Sequence, residues 1–130
     1  MSNVDIVRAF YDAPPDTDPA TSPLTDDTDW TEMAGSAYAG THHGIARIKE
    51  GVFDRIDSDW SEFAVEIDEI VDGGDVIVGV GRYRGVHAVT GSSMVARVAH
   101  VWKLHGGKVV SFEQFCDTLS LAEAEGRASV

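Results

Sequence analysis

The chain has 130 residues, 43% hydrophobic and 25% charged, with 10 lysines and arginines against 22 aspartates and glutamates for a net charge of -12. That length builds one domain, residues 1–130, around a single core. Its acidic field excludes nucleic acid and anionic membrane surfaces as partners, because neither approaches such charge without a basic patch. No apolar run nears the roughly 18 residues of a membrane span, and Cys116, the only cysteine, excludes an internal disulfide.

The start, Met1-Ser2-Asn3-Val4-Asp5, has neither a basic nor a long apolar signal region, so a cytoplasmic location is expected. Acids are mostly Asp and bases mostly Arg, with Lys49, Lys103 and Lys108 the only lysines. Such a surface suits concentrated salt, where charges are screened beyond about 3 Å. A halophilic source is expected, with stability that rises as potassium chloride is added.

In chain order, Val4, Ile6, Val7, Phe10 and Tyr11 mark a short helix stopped by Pro14-Pro15. Pro14 to Asp29 reads as an exposed connection with one helical turn near Ala20. Trp30 to Tyr38 reads as a short strand with Trp30 and Glu32 on one face, and apolar residues at 45, 48, 52, 53 and 56 give a second helix. Four strand-like runs follow: Phe63 to Val71, Asp75 to Val89, Ser92 to Leu104, and a last run entered through the His105-Gly106-Gly107 turn. The polar tail after Leu121 is expected to fray. Helices first and a four-strand meander after give an α+β fold whose long antiparallel strands curl, with helices closing one side.

Alternation along the last run places Glu113, Phe115 and Asp117 on one face and Phe112, Gln114 and Cys116 on the other. A carboxylate among rings has its charged form disfavoured, which suits it to proton transfer near neutral pH. His100 and Trp102 share a face of the preceding strand. Pairing across the turn is expected to bring that face to Glu113, Phe115 and Asp117. Gly79-Val80-Gly81-Arg82-Tyr83-Arg84-Gly85 lies inside a strand pattern with no following helix, so it is no dinucleotide fingerprint. Its glycines relieve a bend or leave room for something lying on that face. The histidines lack metal-ligand spacing, and neither a metal nor another cofactor is expected.

Asp26-Asp27-Thr28-Asp29-Trp30, Tyr38-Ala39-Gly40-Thr41-His42-His43-Gly44, Thr90-Gly91, Ala99-His100-Val101-Trp102-Lys103-Leu104, Gly107-Lys108-Val109-Val110 and Phe115-Cys116-Asp117-Thr118 carry a resemblance over nearly the whole chain. In order and spacing they resemble the SnoaL-like group of the NTF2-like superfamily, which includes ketosteroid isomerase, polyketide cyclases, limonene epoxide hydrolase and scytalone dehydratase. The resemblance implies a curved antiparallel sheet wrapped by helices into a cone, a homodimer, and a concave pocket for a small apolar ligand. It implies Asp117 as the acid that removes a proton from carbon, His100 as a nearby pocket residue, and Glu32 near the catalytic base of ketosteroid isomerase. Phe10 and Ala99 stand where that enzyme has its oxyanion-hole tyrosine and aspartate, so the resemblance does not extend to its steroid chemistry. Trp30, Tyr38, Trp102, Glu113 and Phe115 would line the pocket. The expected activity is cofactor-independent proton abstraction of isomerase, cyclase or dehydratase type on a small carbonyl compound, with Asp117 as the base, His100 stabilising the developing enolate or relaying the proton, and Glu32 as the alternate base. The alternatives are a non-catalytic binding module and a dimerisation domain.

The Asp75 to Val89 and Ser92 to Leu104 runs are apolar at both parities, so a dimer is expected through the outer sheet face, burying Val80, Val95 and Val101 or their alternate-face neighbours.

Overall fold

The computed structural model describes residues 1–128. Helix α1, Asn3–Asp12, starts at Ser2, whose side chain accepts from the Asp5 amide while the Asp5 carboxylate reaches back to the Ser2 amide. It ends before Pro14, which has no N–H to continue the ladder. Its apolar stripe seats Val7 in the core and carries Phe10 and Tyr11 onto the sheet. The connection that follows contains a 3₁₀ turn at Pro19–Thr21. It is tied down by Thr28, whose hydroxyl donates to the Val109 carbonyl at 2.6 Å.

The expected strand from Trp30 to Tyr38 divides. Strand β1, Asp29–Glu32, stops at a turn containing Gly35 at φ 95°, and β2, Gly40–His43, returns antiparallel to it. The expected helix over 45–56 is α2, Ile45–Ile48, a π turn at Lys49–Phe53, and α3, Asp54–Asp59. Ile48 and Val52 are the buried anchors of this stretch.

Four long strands complete the sheet: β3, Trp60–Asp72; β4, Val76–His87; β5, Ser93–His105; and β6, Lys108–Cys116. The order is β2-β1-β6-β5-β4-β3, with β1 and β6 parallel and the other pairs antiparallel. The expected meander is present, and the sheet curves without closing. A bulge in the β3–β4 pairing between Ile67 and Glu69 sharpens the bend. There the Glu66 carbonyl lies against Gly81, where no side chain would fit.

A second bulge decides which residues face inward. Leu104 pairs with Val109, but Lys103 pairs with Ser111, so Val110 is the extra residue. Beyond it Trp102 pairs with Phe112 and His100 with Gln114. A hairpin without the bulge would have set His100 opposite Glu113. The expectation that Glu113, Phe115 and Asp117 share the His100 face is therefore corrected: one inserted residue exchanges the two faces of β6. Phe112 and Gln114 are buried, while Glu113 is exposed and Phe115 is 41% exposed.

The tail does not fray where expected. Helix α4, Thr118–Ala124, buries Leu121, Ala122 and Ala124, and Leu121 and Ala124 join a second core cluster with Trp60, Tyr83, Met94 and Val98. Among the described residues no helix is long and apolar enough to cross a membrane.

Candidate functional site

The inner sheet face assembles a wall of rings and a line of polar groups. Trp30 on β1 sits beside Phe112 on β6 in register and stacks on it, with centroids 3.7 Å apart at 22°. Trp102 meets both rings edge-on, and Phe10 from α1 covers Trp102 at 4.9 Å. Edge-to-face and stacked contacts of this kind add to the area that the rings bury.

Glu32 follows Trp30 on the same face of β1 and is only 4% exposed. Its carboxylate accepts from the Trp30 indole N–H at 3.2 Å and from the Gln114 amide at 3.3 Å. Two donors lower a carboxyl's pKa, but here burial outweighs them and pushes it up to about 7. Near neutral pH this side chain is divided between acid and base.

From Gln114 the polar line continues across the sheet. The Gln114 amide nitrogen donates to the Tyr83 hydroxyl at 2.8 Å, and that hydroxyl lies 2.7 Å from His100 Nε2. His100 Nδ1 is 2.8 Å from the Tyr11 hydroxyl, which accepts from the Trp102 indole at 2.8 Å. Among the described residues His100 has no charged partner, and it is buried, so burial lowers its pKa to about 3 and holds the imidazole neutral. Burial also pushes both tyrosines well above their ordinary value, so their hydroxyls stay protonated. Tyr11 reaches this position because β4 has a glycine beneath it: a Cβ on Gly79 would lie 2.6 Å from the Tyr11 hydroxyl.

Glu32, Tyr83, His100 and Tyr11 look into a cleft of about 1240 Å³ between the concave sheet, α1, the connection after it and the 49–57 helical segment. Its walls include Phe53, Ile56 and Phe63, and its floor Trp30, Glu32, Tyr83, His100, Trp102 and Phe112. An apolar concavity with a few convergent polar groups is the usual form of a small-ligand site. A smaller opening, lined by Tyr38, Trp60, Leu121 and Glu125, reaches Glu32 and Gln114 from the α4 side. Tyr38 donates to Asp59 at 2.8 Å under the Arg55 guanidinium, so it frames this second opening.

Of the residues singled out in the sequence, Trp30, Glu32, His100 and Trp102 converge on the cleft and Tyr38 borders its rear opening. Asp117 does not join them. It caps α4, accepting from the Ser120 amide at 3.1 Å and from the Ser120 hydroxyl, and these bonds draw its pKa below the usual range. The expectation of a desolvated Asp117 is corrected, and Glu113 and Phe115 lie with it outside the cleft. Gln114 and Tyr11 were missed. Gln114 lay on the face that the sequence reading passed over; Tyr11 lay one residue past Phe10, where a helix turns by 100°, and was counted only as apolar.

A SnoaL-like domain model matches residues 7–112. The most similar folds include an NTF2-like protein from Burkholderia thailandensis, 38% identical, covering 95% of this chain and 97% of its own, with a TM-score of 0.85. TerC, co-crystallised with polyporic acid, is 23% identical over 95% of this chain and 98% of its own, with a TM-score of 0.83. A protein of ketosteroid isomerase-like fold from Catenulispora acidiphila, in complex with trimethylamine, is 19% identical over 98% of this chain and 96% of its own, with a TM-score of 0.79. A search of the curated proteins gave no match.

Proposed function

Because the chain belongs to the SnoaL-like family and has the NTF2-like fold, we propose that it is a cofactor-independent enzyme that removes a proton next to the carbonyl of a small, largely apolar substrate. The reaction is of isomerase, cyclase or dehydratase type, and Glu32 is the base. The observation that carries this is a buried carboxyl, poised at about 7 by its surroundings, on the floor of an aromatic cleft. A base with a pKa near the working pH combines a useful ionised fraction with real proton affinity. Tyr83 and Tyr11 stay protonated on either side of His100, and the line they form has a hydroxyl donor for the oxygen on which charge develops. The rings of Trp30, Trp102 and Phe112 receive the apolar body of the substrate.

The test is deuterium uptake from heavy water at the carbon next to the carbonyl, across a panel of cyclic ketones and polyketide-like compounds. Glu32→Gln abolishes uptake, whereas Asp117→Asn leaves it within about twofold, since that group touches no substrate. Uptake that survives Glu32→Gln removes the proposal. Binding of the same compounds without uptake in the parent protein leaves a ligand-binding module in its place.

The proposed assembly is a homodimer through the outer sheet face. Val76, Val95 and Phe115 are exposed there, and Val78 and Val101 pair between them. Among the described residues no helix covers those exposed side chains, and a second sheet would remove them from water.

A further inference from the structure

The polar line from Glu32 to Trp102 has donors of fixed direction at both ends. The Met33 amide, which can only donate, reaches Gln114 Oε1 at 3.4 Å. This fixes the amide orientation, so Gln114 Nε2 is the donor to both Glu32 and Tyr83. At the other end the Trp102 indole can also only donate, so Tyr11 accepts from it. Both ends of the line thus point donors inward, toward His100.

Between the ends stand two tyrosine hydroxyls and one neutral imidazole, which has a single N–H. If Tyr11 donates to Nδ1, then Nε2–H donates to Tyr83, and Tyr83 holds an O–H with no partner in the line. The other tautomer leaves the spare O–H on Tyr11. Either way the line contains one hydroxyl proton more than its links require, and His100 decides which tyrosine holds it.

We propose that His100 stands as the Nε2–H tautomer and assigns the spare proton to Tyr83, making the cleft a site for a ligand with one hydrogen-bond-accepting oxygen, a carbonyl or enolate, set beside Glu32. The reason lies in charge placement. Glu32 and Tyr83 are both bonded to the same Gln114 nitrogen, so an ionised Glu32 favours the arrangement that turns the positive end of an O–H toward its side of the line. Among the described residues no other carboxylate is hydrogen-bonded to this line. The inference builds on the reading of the cleft as the substrate site; it adds the ligand's acceptor chemistry and gives His100 a positioning role.

Two measurements test it without turnover. Nitrogen-15 NMR of the imidazole at pH 8 reads the tautomer directly: Nε2 is expected to show the shift and coupling of an N–H, and Nδ1 those of a bare nitrogen. A protonated Nδ1 overturns the assignment, whether alone or together with Nε2. The second measurement uses 1-tetralone labelled with carbon-13 at its carbonyl, with tetralin as the control lacking oxygen. The carbonyl stretch of bound tetralone is expected at lower frequency in the parent protein and in Tyr11→Phe, but not in Tyr83→Phe.

Tyr83→Phe is expected to weaken tetralone about tenfold, the size of one neutral hydrogen bond, and tetralin not at all. Failure of tetralone to outbind tetralin, or equal losses in the two tyrosine variants, overturns the proposal. A hydrogen-bonded carbonyl with no deuterium uptake defeats Glu32 as base and leaves this inference standing. Uptake that needs Glu32 but not Tyr83 does the reverse.

Discussion

Glu32 and Asp117 carry the same carboxyl group and each accepts from two donors, yet their proton affinities move in opposite directions. Asp117 lies at the sheet rim in contact with water, and the Ser120 amide and hydroxyl draw its pKa down. Glu32 is closed in by Trp30, Gln114 and the cleft wall, and the loss of water outweighs its donors. Position relative to water, more than the number of hydrogen bonds, separates a helix cap from a candidate base. The outer face makes the same point. Asp68 pairs there with Arg82 at 2.8 Å and Arg97 at 3.0 Å, and Glu66 pairs with Arg84 at 2.7 Å. These are half-exposed ion pairs of the kind that contributes about 1 kcal/mol or less.

The largest expected effect that sharpens this contrast is in the pH dependence of stability. Glu32, raised from 4.5 to about 7, holds a proton in the folded chain that the unfolded chain has released, so its contribution is complete below pH 4.5 and is lost on rising to about 7. His100, lowered from 6.5 to about 3, has the opposite sign: its contribution is complete above pH 6.5 and is lost on falling toward 3. Each is worth on the order of 3 to 5 kcal/mol over its full range. Between pH 4.5 and 6.5 the two slopes oppose and largely cancel. In urea unfolding, Glu32→Gln is expected to gain stability with rising pH across that window, and His100→Gln to lose it. Parallel profiles for both variants and the parent would break the contrast between inner and outer groups.

An intermediate effect is expected on the outer face. Val101→Glu sets a second carboxylate opposite Glu113, its cross-strand neighbour, on the surface proposed to meet a second copy. Sedimentation at micromolar protein should show a dimer for the parent and a monomer for the variant, with the fold intact by circular dichroism. A monomeric parent rules out that interface. The smallest effect belongs to Asp117→Ala, which removes the α4 cap and should cost about 1 kcal/mol in unfolding free energy while deuterium uptake is unchanged.

The sequence made the first helix, the four long strands with their curl, and the shared faces of Trp30 with Glu32 and of His100 with Trp102 readable, because a period of two survives within any unbroken strand. What it did not reveal was the bulge at Val110. Alternation states which residues share a face and not which face is inside, and one extra residue in the β5–β6 hairpin exchanged Gln114 for Glu113 opposite His100. The α4 cap was hidden by the same choice, since Asp117 was read as part of the strand face. The glycines of β4 were readable in kind: Gly81 lies where β3 comes close, and Gly79 leaves room for the Tyr11 hydroxyl. That the space belonged to Tyr11 needed the packing angle of α1, which no local pattern states.

The cleft holds Glu32 as a carboxyl poised between acid and base. This is tested most directly by carbon-13 NMR of glutamate-labelled protein, with the Glu32 carboxyl assigned by its absence in Glu32→Gln and followed from pH 4 to pH 9. A midpoint near 7 is expected, unchanged in Asp117→Asn. A midpoint in the ordinary range, about 4.3, would show Glu32 to be solvated and would contradict the account.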